Sequence, residues 1–135
     1  MLPEKHEEVL NEVFEEIEAA LKDRRGLVSH QRRLAFILAL GTTTLIELHL
    51  HKQNVSKPGI KINHLWFKKK KSTIFEQIQH QVTSSLSSIA HFEEALDLAA
   101  KIEEKRDELA YGSPSSEKIL QEKIRLFFEL RQLLK

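Results

Sequence analysis

A chain of 135 residues is the size of one domain, and we predict a single domain over residues 1–135. The absence of cysteine excludes disulfides and thiolate metal sites and fits a reducing compartment, so we expect a cytoplasmic protein. The net charge of +1 conceals a segregation of charge, because residues 52–71 hold seven lysines and no acid, whereas residues 1–25 hold eight acids and four bases.

The first predicted element is an amphipathic helix. It begins near Pro3, a residue favoured in the first turn, and ends at Gly26, which can adopt the left-handed cap conformation. Its apolar residues recur at spacings of three and four and form one stripe: Val9, Leu10, Val13, Phe14, Ile17, Ala20 and Leu21. The residues before the stripe contain no long apolar stretch, so we expect no signal peptide.

The second helix begins after Ser29, a good N-cap residue, and runs to about Lys52. Residues 34–40 are apolar on every face, which predicts a central helix that is buried on all sides. This run is far shorter than the roughly 20 residues that a membrane span needs, so we expect no membrane partner. Gly41 indicates that another backbone approaches the helix closely.

Residues 53–72 break the helical period and predict a long loop between the second and third helices. Lys57-Pro58-Gly59 is a turn signal, and the apolar residues of this stretch follow no helical spacing. Those apolar residues indicate that the loop packs back onto the bundle. Loops of this length are uncommon in compact domains and are often functional.

A third helix is predicted to begin after Ser72 or Thr73 and to extend as far as Ala110, because apolar residues continue at helical spacing, with a kink near Ser84–Ser88. Residues 111–114, Tyr-Gly-Ser-Pro, end it, and a fourth helix follows. No period-two strand pattern occurs, so the sequence predicts an all-α fold, a four-helix bundle of the up-and-down type. The expected core includes Phe14, Leu34, Ile37, Leu38, Leu45, Ile78, Leu86, Phe92, Ile124 and Phe127.

The composition and the apolar pattern support two broader expectations, one about the source of the protein and one about its oligomeric state. Many glutamates and lysines beside one methionine and four glycines are typical of thermophilic proteins. The first and last helices carry more apolar surface than one central helix can cover, which predicts a homodimer.

Histidine spacing predicts no metal site. His49 and His51 would point about 200° apart on a helix, and His80 and His91 would share a face but lie three turns apart. A phosphate-binding glycine loop, a nucleophile elbow and a pair of metal carboxylates are also missing from the sequence. We therefore expect neither a metal nor a cofactor.

The lysine-rich part of the loop combines cations with aromatic rings. Four lysines follow Trp66 and Phe67, namely Lys68, Lys69, Lys70 and Lys71. Phosphates attract such cations and bases stack on such rings, so this pattern favours an anionic partner such as a nucleic acid. In a simpler interpretation, Trp66 and Phe67 anchor the loop in the core and the lysines keep it soluble.

One polar cluster lies where the third predicted helix ends: Arg106, Asp107 and, four residues later, Tyr111. This arrangement resembles the HEPN superfamily, the higher-eukaryote and prokaryote nucleotide-binding domain, and the stretches 33–36, 54–59 and 63–67 are similar to small prokaryotic members. The resemblance implies a helical bundle, often dimeric, that is encoded beside a minimal nucleotidyltransferase. Many members are metal-independent RNases that use an Arg, a polar residue next to it and a His four to six residues beyond.

In this chain Arg106 matches the Arg and Asp107 the polar residue, but Tyr111 stands in place of the His. Tyrosine is a poor general base at neutral pH, although its hydroxyl can still donate a hydrogen bond to phosphate. The resemblance thus implies a nucleotide- or RNA-binding protein or partner subunit with little or no cleavage, whose site includes Arg106 and Tyr111. The cation and ring pattern of the loop adds Trp66 and the four lysines to the expected binding residues. Two alternatives stay open: a variant RNase toxin that uses Arg106 and Tyr111, and a structural helical dimer that docks another protein.

Overall fold

The computed structural model describes residues 2–135 and is all-helical, as predicted. Its helices are α1 (Pro3–Lys22), α2 (Gln31–Lys52), α3 (Lys71–Gln79), α4 (Phe92–Glu103), α5 (Arg106–Tyr111) and α6 (Glu117–Leu133). Short 3₁₀ helices occupy Leu27–His30, His64–Lys68 and Leu86–Ser88. Within residues 2–135 the only β-type pairing is an isolated bridge between Ser56 and Val82.

The core forms around α2, which packs against α1, α4, α5 and α6. Of the ten expected core residues, eight are buried, namely Leu34, Leu38, Leu45, Ile78, Leu86, Phe92, Ile124 and Phe127. Phe14 and Ile37 are partly buried and pack against this cluster. The helical period of the apolar residues therefore located the core correctly.

Two predictions about α2 are wrong. The helix is not buried on all sides, because Phe36 is 42% exposed and Leu40 is 47% exposed. At Gly41 a side chain and not a backbone comes close, since an added Cβ would lie 2.7 Å from the Phe127 ring and 3.0 Å from a methyl group of Val13. The glycine leaves room for aromatic packing between α2 and α6.

By length and composition alone, the stretch Leu27–Lys52 could span a membrane, with a mean hydropathy of 1.4. Two thirds of its apolar window, 67%, is buried inside the protein. The core helix of a bundle in water has the same two properties, so they do not distinguish the two settings.

The predicted third helix is three separate helices, α3, α4 and α5, so residues 2–135 contain six α-helices where the sequence predicts four. Between α3 and α4 the Gln79 side chain holds a turn, because its Nε2 donates to the Ser84 carbonyl and its Oε1 accepts from Leu86 N–H. Serine and threonine side chains compete with helical hydrogen bonds, which explains a full break where the sequence predicts a kink. His91, in the left-handed conformation, then precedes α4.

Residues 53–70 pack back onto the bundle, as predicted. Ile60, Ile62 and Phe67 are buried. Glu47 of α2 fixes this segment, because its Oε2 accepts a hydrogen bond from Ile62 N–H at 2.8 Å while its Oε1 lies 3.0 Å from Nε2 of the buried His6. One wall of a cleft is thereby attached to the central helix.

Candidate functional site

A second break, between α4 and α5, positions the polar cluster around Arg106. Lys105 adopts the left-handed conformation and separates the two helices. The buried Lys123 of α6 stabilises this break, because its Nζ donates to the carbonyl oxygens of Lys101 at 2.5 Å and Glu104 at 2.6 Å. Burial lowers the pKa of Lys123. Arg106 therefore begins a new short helix that faces α2.

Arg106 is largely buried against α2, with its side chain 13% exposed. Its guanidinium lies over the ring of Phe36, 5.0 Å from the ring centre. Nη1 donates to Asp107 at 2.9 Å, whereas the buried Nε has no acceptor among residues 2–135. A buried donor without an acceptor costs about 1–3 kcal/mol. The guanidinium is therefore only partly satisfied by the protein.

Tyr111 meets the same aromatic ring from another side. Its ring packs edge-on against Phe36, with 5.8 Å between the ring centres, and it is 72% exposed. Arg106 and Tyr111, which the sequence predicts to act together, are brought together through Phe36. The sequence gives no sign of this bridging ring, because it places Phe36 inside a fully buried helix.

The four lysines have different surroundings. Lys68 Nζ lies 2.5 Å from the Asp107 carboxylate, whose pKa this contact lowers. Lys71 lies within 3.9 Å of two acids of α4. Lys69 and Lys70 are exposed and form no ion pair within the described residues. Only these two have their charge wholly available to a partner.

Trp66 is partly buried and packs against the hydrophobic core. Phe67 beside it is buried. This placement agrees with the simpler interpretation, in which the two rings anchor the loop. The exposed rings near Arg106 are instead those of Phe36 and Tyr111.

Sequence reasoning missed His64 and Glu103. His64 Nδ1 lies 2.9 Å from Glu103 Oε1, although 39 positions separate the two residues in the chain. Glu103 is only 3% exposed, and this burial raises its pKa while the contact with His64 acts in the opposite direction. Asn63 starts the 3₁₀ helix that carries His64, because its side chain accepts from Leu65 N–H. No local sequence pattern signals the pair.

Phe36, His64 and Arg106 line a cleft of about 580 Å³ between α2 and residues 59–64, hereafter the Arg106 cleft. Phe36, Ala39 and Leu40 give it an apolar wall, and Arg106 and His64 contribute polar groups. A groove of about 600 Å³ elsewhere is lined by the acids Glu94, Asp97 and Glu129, so its charge repels anions. The Arg106 cleft is therefore the better candidate for a phosphate-bearing ligand.

Comparisons with family models, curated proteins and solved structures find no match to this chain. The described residues also contain no group of three or more His, Asp or Glu side chains arranged to hold a metal ion. The assignment of a function therefore depends on the geometry of the cleft itself.

Proposed function

We propose that this protein binds RNA or a nucleotide, with a phosphate group at Arg106 and a base against the neighbouring rings. The observation that carries the proposal is the Arg106 guanidinium, held over Phe36 at the cleft with a buried Nε that lacks an acceptor. Hydrogen bonds between a guanidinium and a phosphate are charge-assisted and stronger than neutral ones. A phosphate oxygen would accept hydrogen bonds from the part of the Arg106 guanidinium that lines the cleft.

The apolar part of the cleft suits a base. Phe36 and Tyr111 both expose part of their rings, and base–aromatic stacking contributes about 1–3 kcal/mol per base. A volume of about 580 Å³ lies within the usual range of ligand sites, about 300–1,000 Å³. The Arg106 cation suits the phosphate of a nucleotide, and the exposed rings and apolar wall suit its base.

The surrounding charge favours a polymer over a mononucleotide. Lys61 lines the cleft, and Lys69 and Lys70, a few positions later in the same segment, are exposed. One phosphate needs one or two cations, whereas residues 52–71 supply seven lysines. Successive phosphates of a single-stranded RNA can use such an extended surface.

The proposal includes the family suggested by the sequence. On this interpretation α1, α2, α4 and α6 are the main helices of a HEPN-like bundle, and a minimal nucleotidyltransferase is the expected protein partner. Arg106 and Asp107 at the start of α5 occupy the positions on which the resemblance rests.

A second function, docking of another protein, is favoured by one observation. Phe36 and Leu40 in the cleft wall, and Tyr111 packed on Phe36, are all more than one third exposed. A partner helix that covers them would bind without any dependence on Arg106 charge or on salt, which separates this function from RNA binding.

The test is a titration of a fluorescent single-stranded RNA followed by anisotropy. Arg106→Ala should weaken RNA binding at least tenfold, equivalent to about 1.4 kcal/mol. Arg125→Ala is the matched control, because Arg125 is an exposed arginine of α6 that pairs with Glu122 and Glu129. Equal affinity of the two variants would contradict the proposal, once circular dichroism shows that both are folded.

A further inference from the structure

A second concave surface lies at the N-terminal end of α2. It is a groove of about 340 Å³, lined by residues 28–33 together with Gly112 and Pro114, hereafter the Arg32 groove. The α2 residues that line the Arg106 cleft begin at Phe36 and continue toward the C-terminal end of the helix. Phe36 therefore lies between the two surfaces along the helix.

The Arg32 groove is cationic. Arg32 and Arg33 line it, and its lining includes no Asp or Glu among the described residues. Arg33 is already paired, because its Nε lies 3.1 Å from the Glu16 carboxylate. Arg32 is exposed and forms no ion pair within residues 2–135. The charge of Arg32 is therefore available to an anionic ligand.

Arg32 and Phe36 share one face of α2. They are four positions apart in one continuous helix, so their side chains are neighbours and lie about 6 Å apart along the axis. The Arg106 guanidinium lies over the ring of Phe36, and Tyr111 packs against the same ring. One arginine is thus placed over this pair of exposed rings, and another lies one helical turn before it.

The connection after α5 joins the two surfaces. Tyr111 ends α5, and Gly112 and Pro114 after it form part of the Arg32 groove. Gln31, buried at the start of α2, holds this connection through three hydrogen bonds. Its Nε2 donates to two backbone carbonyls and its Oε1 accepts from Ser115 N–H at 2.7 Å. The groove wall and Tyr111 are therefore fixed relative to α2.

Acids near the groove do not cancel the charge of Arg32. Glu16 is paired with Arg33. Glu117 accepts a hydrogen bond from a backbone N–H of the 3₁₀ helix that precedes α2. Glu108 lines a different pocket, beside a lysine. The groove thus keeps a local positive field that attracts phosphate.

We propose that the Arg32 groove is a second phosphate site, so that the ligand is a short single-stranded RNA and not an isolated nucleotide. This inference rests on the RNA binding proposed above. One phosphate lies at Arg106, and a base packs against Phe36 and Tyr111. A phosphate further along the strand lies at Arg32. Cations that alternate with exposed rings are the arrangement by which proteins bind single strands, because phosphates and bases alternate along them.

The experiment compares two ligand lengths on the full chain. A fluorescent hexauridylate is titrated by anisotropy, and uridine 5′-monophosphate is titrated by NMR chemical shifts, which report weak binding. The hexanucleotide can reach both phosphate sites, whereas the mononucleotide reaches one. Arg32→Gln should weaken hexanucleotide binding at least about fivefold and change mononucleotide binding less than about twofold. Arg106→Ala should weaken the binding of both ligands.

The matched control is Arg24→Gln. Arg24 is also exposed and forms no ion pair within the described residues, but it lies outside the lining of the groove. This variant should bind both ligands as the native chain does. Arg32→Lys retains the positive charge and should keep most of the hexanucleotide affinity.

Salt dependence separates a phosphate contact from a structural effect. Arg32→Gln should reduce the slope of log affinity against log salt for the hexanucleotide by about 0.7, the value for one phosphate of a single strand. Arg24→Gln and Arg32→Lys should leave that slope unchanged. Circular dichroism verifies that each variant is folded.

Each contrary result has a distinct meaning. Unchanged hexanucleotide affinity and slope in Arg32→Gln would overturn the inference, while a loss in Arg106→Ala would leave the proposed function standing. Equal losses for both ligands in Arg32→Gln would place Arg32 at the same phosphate as Arg106 and would also overturn it. No binding of either ligand by the native chain would overturn the proposed function and this inference with it.

Discussion

Glu103 is a buried carboxyl whose ionisation affects the stability of the fold. Burial raises the pKa of its carboxyl above the usual 4.5, despite the opposing contact with His64. Between the pKa values of the unfolded and folded states, the folded chain holds more protons, so stability falls as the pH rises through the folded pKa. Ionisation of Glu103 as the pH rises therefore lowers the free energy of unfolding.

Glu103→Gln should raise the melting temperature at pH 7, because the amide avoids the burial of a charge and can still accept a hydrogen bond from His64. At pH 4, below the unfolded pKa, the native chain is already protonated here and the difference should shrink. Thermal melts followed by circular dichroism at the two pH values measure this. Glu104→Gln, at the exposed neighbouring position, is the control and should change neither melt. A lower melting temperature for Glu103→Gln at pH 7 would contradict the argument.

At the scale of single residues, the sequence predicted some residues of the candidate site and could not predict others. Arg106 and Asp107 lie next to each other and form a local motif, so they could be selected. His64 and Glu103 are 39 positions apart, and only the tertiary fold brings them together. Residues that meet through packing leave no spacing signal in a single sequence.

At the scale of the element, α2 offers a direct test of which face is buried. Leu38→Ala should lower the free energy of unfolding by about 2–5 kcal/mol, because Leu38 is 4% exposed in the core. Leu40→Ala, the same change two positions later on the same helix, should cost less than about 1 kcal/mol, because Leu40 is half exposed. Denaturant melts compare the two variants. Similar losses would show that the orientation of α2 is wrong.

The third predicted helix shows why helical period alone is not sufficient. Val82, Leu86 and Ile89 have helical spacing and are all buried, yet the backbone between them forms turns and a 3₁₀ helix. The break at Lys105 has no local signal, since the residues around it favour helices and the stabilising contact comes from Lys123 of α6. Both breaks come from hydrogen bonds of single side chains, which a pattern of apolar residues does not record.

At the scale of the lysine-rich segment, the four lysines of residues 68–71 should contribute unequally to RNA binding. Lys69→Gln with Lys70→Gln should reduce the slope of log affinity against log salt by about 0.7 per lysine, the value for single-stranded nucleic acid. Lys68→Gln with Lys71→Gln should reduce it less, because those two lysines already pair with acids of the protein. Anisotropy titrations at several salt concentrations provide the slopes. Equal slopes for the two double variants would show that the ion pairs seen here do not restrict the lysines.

At the scale of the whole molecule, charge is separated between two regions. The acids of residues 1–25 lie mostly on α1, and the lysines of residues 52–71 lie along the segment beside the cleft. A net charge of +1 therefore coexists with a local field that attracts anions to one region. Binding of RNA should depend on this region and not on the overall charge.

The homodimer expected from the sequence remains a prediction, and the face formed by α1 and α6 is where we expect it. Phe14 and Phe128 stack there with 5.9 Å between ring centres, and Phe128 and Leu21 are 37% and 55% exposed. Burial of such apolar surface against a second copy is favourable by about 25 cal/mol per Å². Sedimentation velocity at micromolar concentration should show a dimer, and Leu21→Ser with Phe128→Ser should give a monomer. Leu65→Ser, at a leucine of similar exposure in residues 53–70, should leave the dimer intact, whereas a monomeric native chain would remove the basis for this interface.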